Sequence, residues 1–427
     1  MEIARMNYAA CCYAPSRLLV GVFVALGAVA AYGEEKNQQP SWPYFHGPLR
    51  DNVSSETDLL KEWPSEGPKL LWEFDECGKG FSGVSIADGM IFTAGDFDDV
   101  EMVIALDMSG KLLWKSPNGK SWTRANPGSR TTPAYDSGML YHMNPLGRLA
   151  AFRARTGEEV WVVDLVKRFG ARYGNWAMTE NVVVDGDLVY CLPGGQGALA
   201  AALDKTTGAT VWTNGELDEA TGYASPIVVT YRGKRQLLAV TIKSVAGLDL
   251  ETGKMLWSHP HGAKDSINVN APIFSDGYVF ATSGHSGGSR VLKLNAEGSA
   301  ASQLWLDTEM DNCHGGVILL DGLLYGSACR IGGKGFFVAE LVSGKTLYHD
   351  KDMPKLSLTS ADAMIYGFEE YGRFMLLEPV PEGVRVVSEA RVPHKSPGNL
   401  AYAHPVICDG KLYLRQGPYV YAYDVRQ

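Results

Sequence analysis

ALDKTTGATVW, Ala202–Trp212, has two close copies elsewhere in the chain: ALDMSGKLLW at Ala105–Trp114 and GLDLETGKMLW at Gly247–Trp257. Working outward, Trp72, Trp114, Trp161, Trp212, Trp257 and Trp305 follow one another at intervals of 42, 47, 51, 45 and 48 residues. Self-similarity with such a period is the signature of a repeat architecture, in which no unit can bury its apolar face alone. Between the tryptophans the segments are short, β-branched and aromatic. They are punctuated by Asp88-Gly89, Ser137-Gly138, Asp185-Gly186, Asp276-Gly277, Asp321-Gly322 and Asp409-Gly410, each read as the first hairpin turn of its repeat. Helical periodicity is nowhere sustained, so the class is all-β.

The phrase itself has a mechanical reading. Thr156-Gly157, Thr207-Gly208 and Thr252-Gly253 turn the chain between the third and fourth strands, and the Trp that follows lays a flat ring against the adjacent repeat. Each such burial stabilises by roughly 1.5–3 kcal/mol. The six rings are therefore structural docking groups, since regular spacing puts one in every repeat rather than all in one site.

Counting closures gives eight repeats. Five end at Trp114, Trp161, Trp212, Trp257 and Trp305, Tyr348 takes the same place in AELVSGKTLYH, and Leu376–Val387 is a degenerate seventh. Val406–Asp424 offers three strands and then the chain stops, while Leu70–Phe74 is a Trp-bearing strand without a repeat of its own. Joining the two closes an eight-bladed β-propeller and leaves no open sheet edge.

Composition supports a folded, non-nucleic-acid-binding chain. The 427 residues carry 45% hydrophobic side chains and a net charge of −9, with no basic stripe. Charges of both signs are scattered, and short pairs such as Glu369-Glu370 read as mixed solvated surface. Residues 1–33 read as a signal peptide: Arg5 and Arg17 precede the apolar run Leu18–Ala31, and small residues lead to cleavage near Gly33. The run is shorter than the roughly 20 residues of a membrane span, and no later segment is apolar enough to cross. The expectation is a periplasmic or secreted protein with no transmembrane span after cleavage. Residues 34–69, rich in Pro and Gly, read as a strap over the first folded unit, fastened by Trp42 and Trp63, and residues 70–427 form the propeller.

Five cysteines remain after cleavage. Cys313 and Cys329 straddle the Asp321-Gly322 turn about one residue out of register, which favours two buried thiols over a disulfide. His259 and His261 lack a neighbouring Cys or carboxylate and read as a surface loop, so no metal site is expected there. Gly194–Gly197 and Gly284–Gly288 lead from strand to strand, without the helix N-terminus that a phosphate site needs, and read as hairpin loops.

Taken together, these residues resemble the pyrroloquinoline-quinone-repeat β-propellers. That superfamily includes the BamB-like lipoprotein of the outer-membrane assembly machinery and the quinoprotein alcohol dehydrogenases. The resemblance covers Leu70–Gln427; Gly174-Asn-Trp-Ala-Met-Thr-Glu180, Val184–Asp187, Pro193-Gly-Gly195 and Trp42-Pro-Tyr-Phe-His-Gly-Pro48 are similar to exported propellers of planctomycete-type bacteria. For a dehydrogenase it would imply pyrroloquinoline quinone (PQQ) under a vicinal disulfide, with calcium or a lanthanide held by Glu, Asn and Asp. The one adjacent cysteine pair, Cys11-Cys12, falls in the signal, and no CxxCH haem motif or Gly-x-Ser-x-Gly elbow is present. No cofactor and no catalytic residue is expected on this reading.

A fold of this kind carries many functions, so function must be argued from a site. In a propeller the first strand of each blade lines the channel, and the residues leading into it ring one mouth. Here they are Phe81-Ser82, Arg130-Thr131, Trp176-Ala177, Tyr223-Ala224, Asn270-Ala271, His314-Gly315, Thr359-Ser360 and Tyr402-Ala403-His404. Arg130, Trp176, Tyr223, Asn270, His314 and His404 make a polar, aromatic funnel suited to binding, although the same side chains would also serve as a plug of satisfied contacts. The leading expectation is a non-enzymatic exported propeller. It would bind an envelope or extracellular protein, or a small or saccharide ligand, through the funnel or rim. The alternatives are a PQQ-dependent oxidoreductase with calcium and a hydrolase or lyase acting on extracellular polysaccharide.

Overall fold

A computed structural model describes residues 40–427 except 263–266, 286, 330–334, 395–397 and 399. The segment read as a signal peptide lies outside the described residues. Eight antiparallel four-stranded sheets follow one another along the chain as the blades of a propeller, and the seventh gains a short fifth strand. The first seven blades run Ser85–Lys120, Ala134–Asp164, Val183–Asn214, Ile227–Pro260, Ile273–Asp307, Val317–Asp350 and Leu356–Arg391. In the eighth, Val406–Cys408, Lys411–Gln416 and Tyr419–Asp424 are completed by Lys69–Phe74, paired antiparallel to the last of them.

The first turns are two-residue hairpins. Asp88-Gly89, Ser137-Gly138, Asp276-Gly277, Asp321-Gly322 and Asp409-Gly410 all hold both residues at positive φ, the pair of left-handed residues that matches the strand twist. In the third blade Asp185 pairs with Leu188, so the turn is Gly186-Asp187, one residue later than the sequence suggested.

The tryptophans sit on glycines. The rings of Trp72, Trp114, Trp161, Trp212 and Trp305 lie over Gly110, Gly157, Gly208, Gly253 and Gly344 of the following blade. A Cβ on any of these would come within 2.4–2.8 Å of ring carbon. Each indole also donates to a carbonyl of that blade, as from Trp161 to Lys205 O at 2.9 Å and from Trp212 to Leu250 O at 3.2 Å. Trp257 differs, because its indole donates to Gln236 Oε1 at 3.0 Å and Gln236 Nε2 in turn donates to Gly298 O at 2.9 Å. Tyr348 takes the Trp place against Gly383.

Residues 40–69 reach much further than the first blade. Trp42 exchanges backbone hydrogen bonds with Ile86, Pro43 O accepts from Tyr135 N, and Arg50 donates to Val184 O at 2.8 Å. Val53-Ser54 then pairs in parallel with Ser360-Ala361, and Glu56 accepts from Asp409 N and Gly410 N. The segment thus touches the first strands of blades one, two, three and seven and the first turn of blade eight. Trp42 is buried at the seam of the last and first blades, Trp63 at that of the last two. Arg415 also fastens the first of these seams: buried in the eighth blade, it donates to Thr93 Oγ1 at 2.7 Å and Ala94 O at 3.1 Å in the first.

Candidate functional site

The chain leading into each first strand bends at the channel mouth, and these bends surround a cavity of about 330 Å³. Arg130, Trp176, Tyr223, Asn270, His314 and His404 all line it. Each is positioned by a local contact. Arg130 Nη2 donates to Ala125 O at 2.9 Å and Asn126 O at 2.5 Å, and its guanidinium lies 5.1 Å from the Phe81 ring centre. Burial lowers its pKa to about 10, opposed by the nearby acids Asp96 and Glu101, and it stays cationic. Trp176 meets Tyr223 edge-on at 5.6 Å. Tyr223 occupies a left-handed conformation at φ 76°, held where its N–H donates to Glu180 at 2.8 Å. Glu180 is itself buried, and desolvation raises its pKa to about 7. Asn270 donates to Asn312 O at 3.2 Å and to Cys313 O.

The opposite wall is a charged cluster. Lys355 donates to Glu370 at 2.8 Å and contacts His314 Nε2, whose ring centre lies 3.7 Å from that of Tyr402. His404 Nδ1 lies 3.0 Å from both Leu358 O and Asn52 Nδ2. Burial, with Lys355 adding to it at His314, depresses both imidazoles to about 4. Burial works against ionised Glu370, but His314 and Lys355 prevail and hold it at about 2. Both histidines are therefore neutral at pH 7, and among the described residues the cavity lining carries two cations, Arg130 and Lys355, against one carboxylate.

Four sets of residues correct the sequence reading. Thr359-Ser360 do not lead into the seventh first strand but lie within it, because that strand begins at Leu356; Lys355 stands at the mouth instead. Glu369-Glu370 is buried, not solvated surface. His261 is buried as well, and its pKa falls to about 4 through burial and nearby Arg290. Cys313 and Cys329 are joined as a disulfide, since both lie in loops beyond the paired residues, where the backbone leaves the ladder and brings their Cα atoms to 4.9 Å. Sequence reasoning also missed Phe45 and His46, which the N-terminal segment inserts into the channel, where both rings pack on His404.

A quinone partnered by calcium or a lanthanide needs a carboxylate-rich ion seat. Among the described residues lining the cavity the one carboxylate is Glu370, and it is engaged by Lys355. The cysteines of the wall are sixteen residues apart rather than adjacent. These residues do not fit that pairing of groups.

Residues 99–347 match the family model described as outer membrane protein assembly factor BamB. The chain belongs to this PQQ-repeat BamB family. Members and neighbours differ in what they do. BamB from Moraxella catarrhalis superposes with a TM-score of 0.60 at 17% identity, covering 84% of this chain and 98% of that one. Quinohemoprotein alcohol dehydrogenase from Comamonas testosteroni gives a TM-score of 0.65 at 13% identity, over 90% and 80% of the two chains. Quinoprotein alcohol dehydrogenase PedH of Pseudomonas putida is 27% identical over 139 residues, 31% of this chain and 23% of PedH. The match therefore spans less than a quarter of that relative, and the structural likenesses establish the propeller fold alone. No helix among the described residues is long and apolar enough to cross a membrane.

Proposed function

We propose that this BamB-family chain is an exported, non-enzymatic binding propeller that takes an anionic group with a flat apolar face into its funnel. That group is either a small ligand or the protruding end of an envelope protein. One observation carries the reading: in a chain of net charge −9, the described residues of the funnel lining hold two cations, each beside an aromatic ring. Arg130 lies over Phe81 and Lys355 lies 5.1 Å from the Tyr402 ring centre, with Phe81 and Tyr402 stacked on each other at 5.1 Å. Among the described lining residues these cations outnumber the one carboxylate, Glu370, and a concave, low-dielectric site with such an excess focuses its field on an entering anion. Two of the imidazoles in the lining are engaged, His314 with Lys355 and His404 with Leu358 O and Asn52.

Equilibrium dialysis against terephthalate, with an aromatic amine as the cationic control, tests the reading. Binding of the dicarboxylate should weaken at least tenfold in Arg130→Ala and in Trp176→Ala, both retaining the parent's circular dichroism, since Arg and Trp most often carry interface energy. Unchanged binding in both variants would place the site elsewhere. The similarity to PedH favours one second reading, a quinone-dependent oxidoreductase. An ultraviolet–visible spectrum after reconstitution with PQQ and Ca²⁺, together with dye-linked alcohol oxidation, separates the two. Stoichiometric quinone with turnover would overturn the non-enzymatic proposal.

A further inference from the structure

The disulfide in the funnel wall has a third potential ligand beside it. The Sγ atoms of Cys313 and Cys329 and a ring nitrogen of His285 lie within 4.8 Å of one another, and all three residues line the cavity. We propose that reduction of this disulfide creates a Cys₂His site for a thiophilic d¹⁰ cation, Zn²⁺ foremost, with its fourth coordination position open to the funnel.

Three features of the scaffold support the assignment. His285 stands at the tip of the hairpin joining Tyr278–Ser283 to Gly288–Leu294, in a left-handed conformation with φ 56°. Its neighbour Gly284 packs directly on the disulfide, since a Cβ there would stand 2.6 Å from Cys313 Sγ. The imidazole is thus delivered to the sulfurs by backbone contact rather than by a long mobile side chain. The cysteines are anchored separately from each other: Cys313 O accepts from Asn270, and Cys329 N donates to buried Asp311 at 3.3 Å. Opening the S–S bond therefore leaves two buried thiols in place.

The donor set decides the class of ion. Two thiolates and an imidazole suit zinc or another thiophilic d¹⁰ ion, whereas calcium and magnesium require oxygen ligands. Bonds of about 2.3 Å to sulfur and 2.0–2.1 Å to nitrogen, at tetrahedral angles, hold donors about 3.5–3.8 Å apart. That separation lies within the observed spread, so the main adjustment is the parting of the two sulfurs. The chemistry balances with a dithiol as the reductant. It transfers two electrons and two protons to the S–S bond, giving two thiols while it closes to its own cyclic disulfide; Zn²⁺ then displaces both thiol protons. Three protein ligands with an open fourth position are the arrangement in which zinc also takes water or an anionic oxygen from its surroundings.

The test uses the full chain and no funnel ligand, so its outcome is independent of the proposed function. Oxidised protein and protein reduced with a water-soluble phosphine are incubated with Zn²⁺, freed of excess ion under nitrogen and assayed for bound metal; Co²⁺ replaces Zn²⁺ for spectroscopy. The reduced chain should retain about one zinc, the oxidised chain essentially none, and the cobalt form should show thiolate-to-metal charge-transfer absorption. His285→Ala should weaken binding at least tenfold, and Cys313→Ser should abolish stoichiometric uptake. Should that variant fail to fold, alkylation of the reduced parent takes its place and should likewise block uptake. Absence of zinc from the reduced parent, unfolding on reduction, or equal uptake by oxidised or alkylated protein would each overturn the proposal.

Discussion

Alanine in place of Gly208 should destabilise the propeller by about 2–5 kcal/mol, whereas alanine in place of Gly138 should cost only about 1–2 kcal/mol. Both glycines hold left-handed backbone, at φ +70° and +83°, so both substitutions incur the roughly 1–2 kcal/mol strain of an L side chain there. Their surroundings differ. A Cβ at Gly138 meets nothing within 4 Å, while one at Gly208 would stand 2.8 Å from Trp161 Cε3 and 3.3 Å from Val163 Cγ2. Ordinary carbon contacts lie at about 3.5–4.0 Å, so the Trp161 ring must retreat by about 0.7–1.2 Å, which forfeits at least a quarter to a half of its contact energy with that blade. The retreat also stretches the 2.9 Å hydrogen bond from Trp161 to Lys205 O. Overpacking of this kind adds about 1–3 kcal/mol. Urea unfolding of the parent and both variants, followed by far-ultraviolet circular dichroism, gives the two values, with agreement between probes establishing that each transition is single. Equal midpoints for the two variants would refute the argument that the ring is seated on that glycine.

Trp161→Ala should cost about 3–5 kcal/mol by the same assay. Gln236→Ala should cost about 2–3 kcal/mol, because it leaves both the Trp257 indole and Gly298 O without their partner; a neutral result would show that the relay is dispensable. Stability should fall on acidification from pH 6.5 to 4. Folded His314 and His404 refuse protons until about 4 while the unfolded chain binds them from about 6.5, an effect of up to about 3 kcal/mol per histidine, less for His314 with 28% of its side chain exposed. Glu180 opposes this. Its raised pKa of about 7 gives stability that is present below pH 4.5 and lost as pH rises through 7, so Glu180→Gln should steepen the acid loss. Urea midpoints between pH 4 and 8 decide, and a Glu180→Gln profile no steeper than the parent's would contradict the account.

The blade count and the ring closure were legible because the chain writes them locally: a turn, a glycine and a ring, repeated, with Trp72 unpartnered at one end and a short repeat at the other. That six named residues line one cavity was legible for the same reason, since each precedes a first strand and most of those strands end at a visible turn. Lys355 was not. The seventh repeat lacks a Trp phrase, and its first strand starts earlier than the pattern of the others suggests. Glu370 was hidden because its partner is fifteen residues away in sequence and becomes adjacent only where two strands end at the same mouth. Phe45 and His46 belong to a segment without periodicity, whose path across the channel depends on contacts with five blades. The disulfide was misjudged because a ladder was extrapolated into loops that depart from it.

Pairing the strand Lys69–Phe74 with Tyr419–Asp424 has a consequence for how the protein is made. Ring closure joins segments about 350 residues apart, so it cannot occur until the ribosome has delivered the C-terminal strands, roughly 20–70 s after the N-terminal one at ordinary elongation rates. Through that interval Lys69–Phe74 waits unpaired, and closing so long a loop carries an entropic cost of about 5 kcal/mol, offset only when both seams of the eighth blade form. The early blades can stack on their neighbours as they emerge, but the cavity is bounded on one side by Tyr402 and His404 and is incomplete until they have been made. The funnel wall is in this sense completed only after the seventh blade, and a chain ended before Tyr402 would lack one side of the cavity.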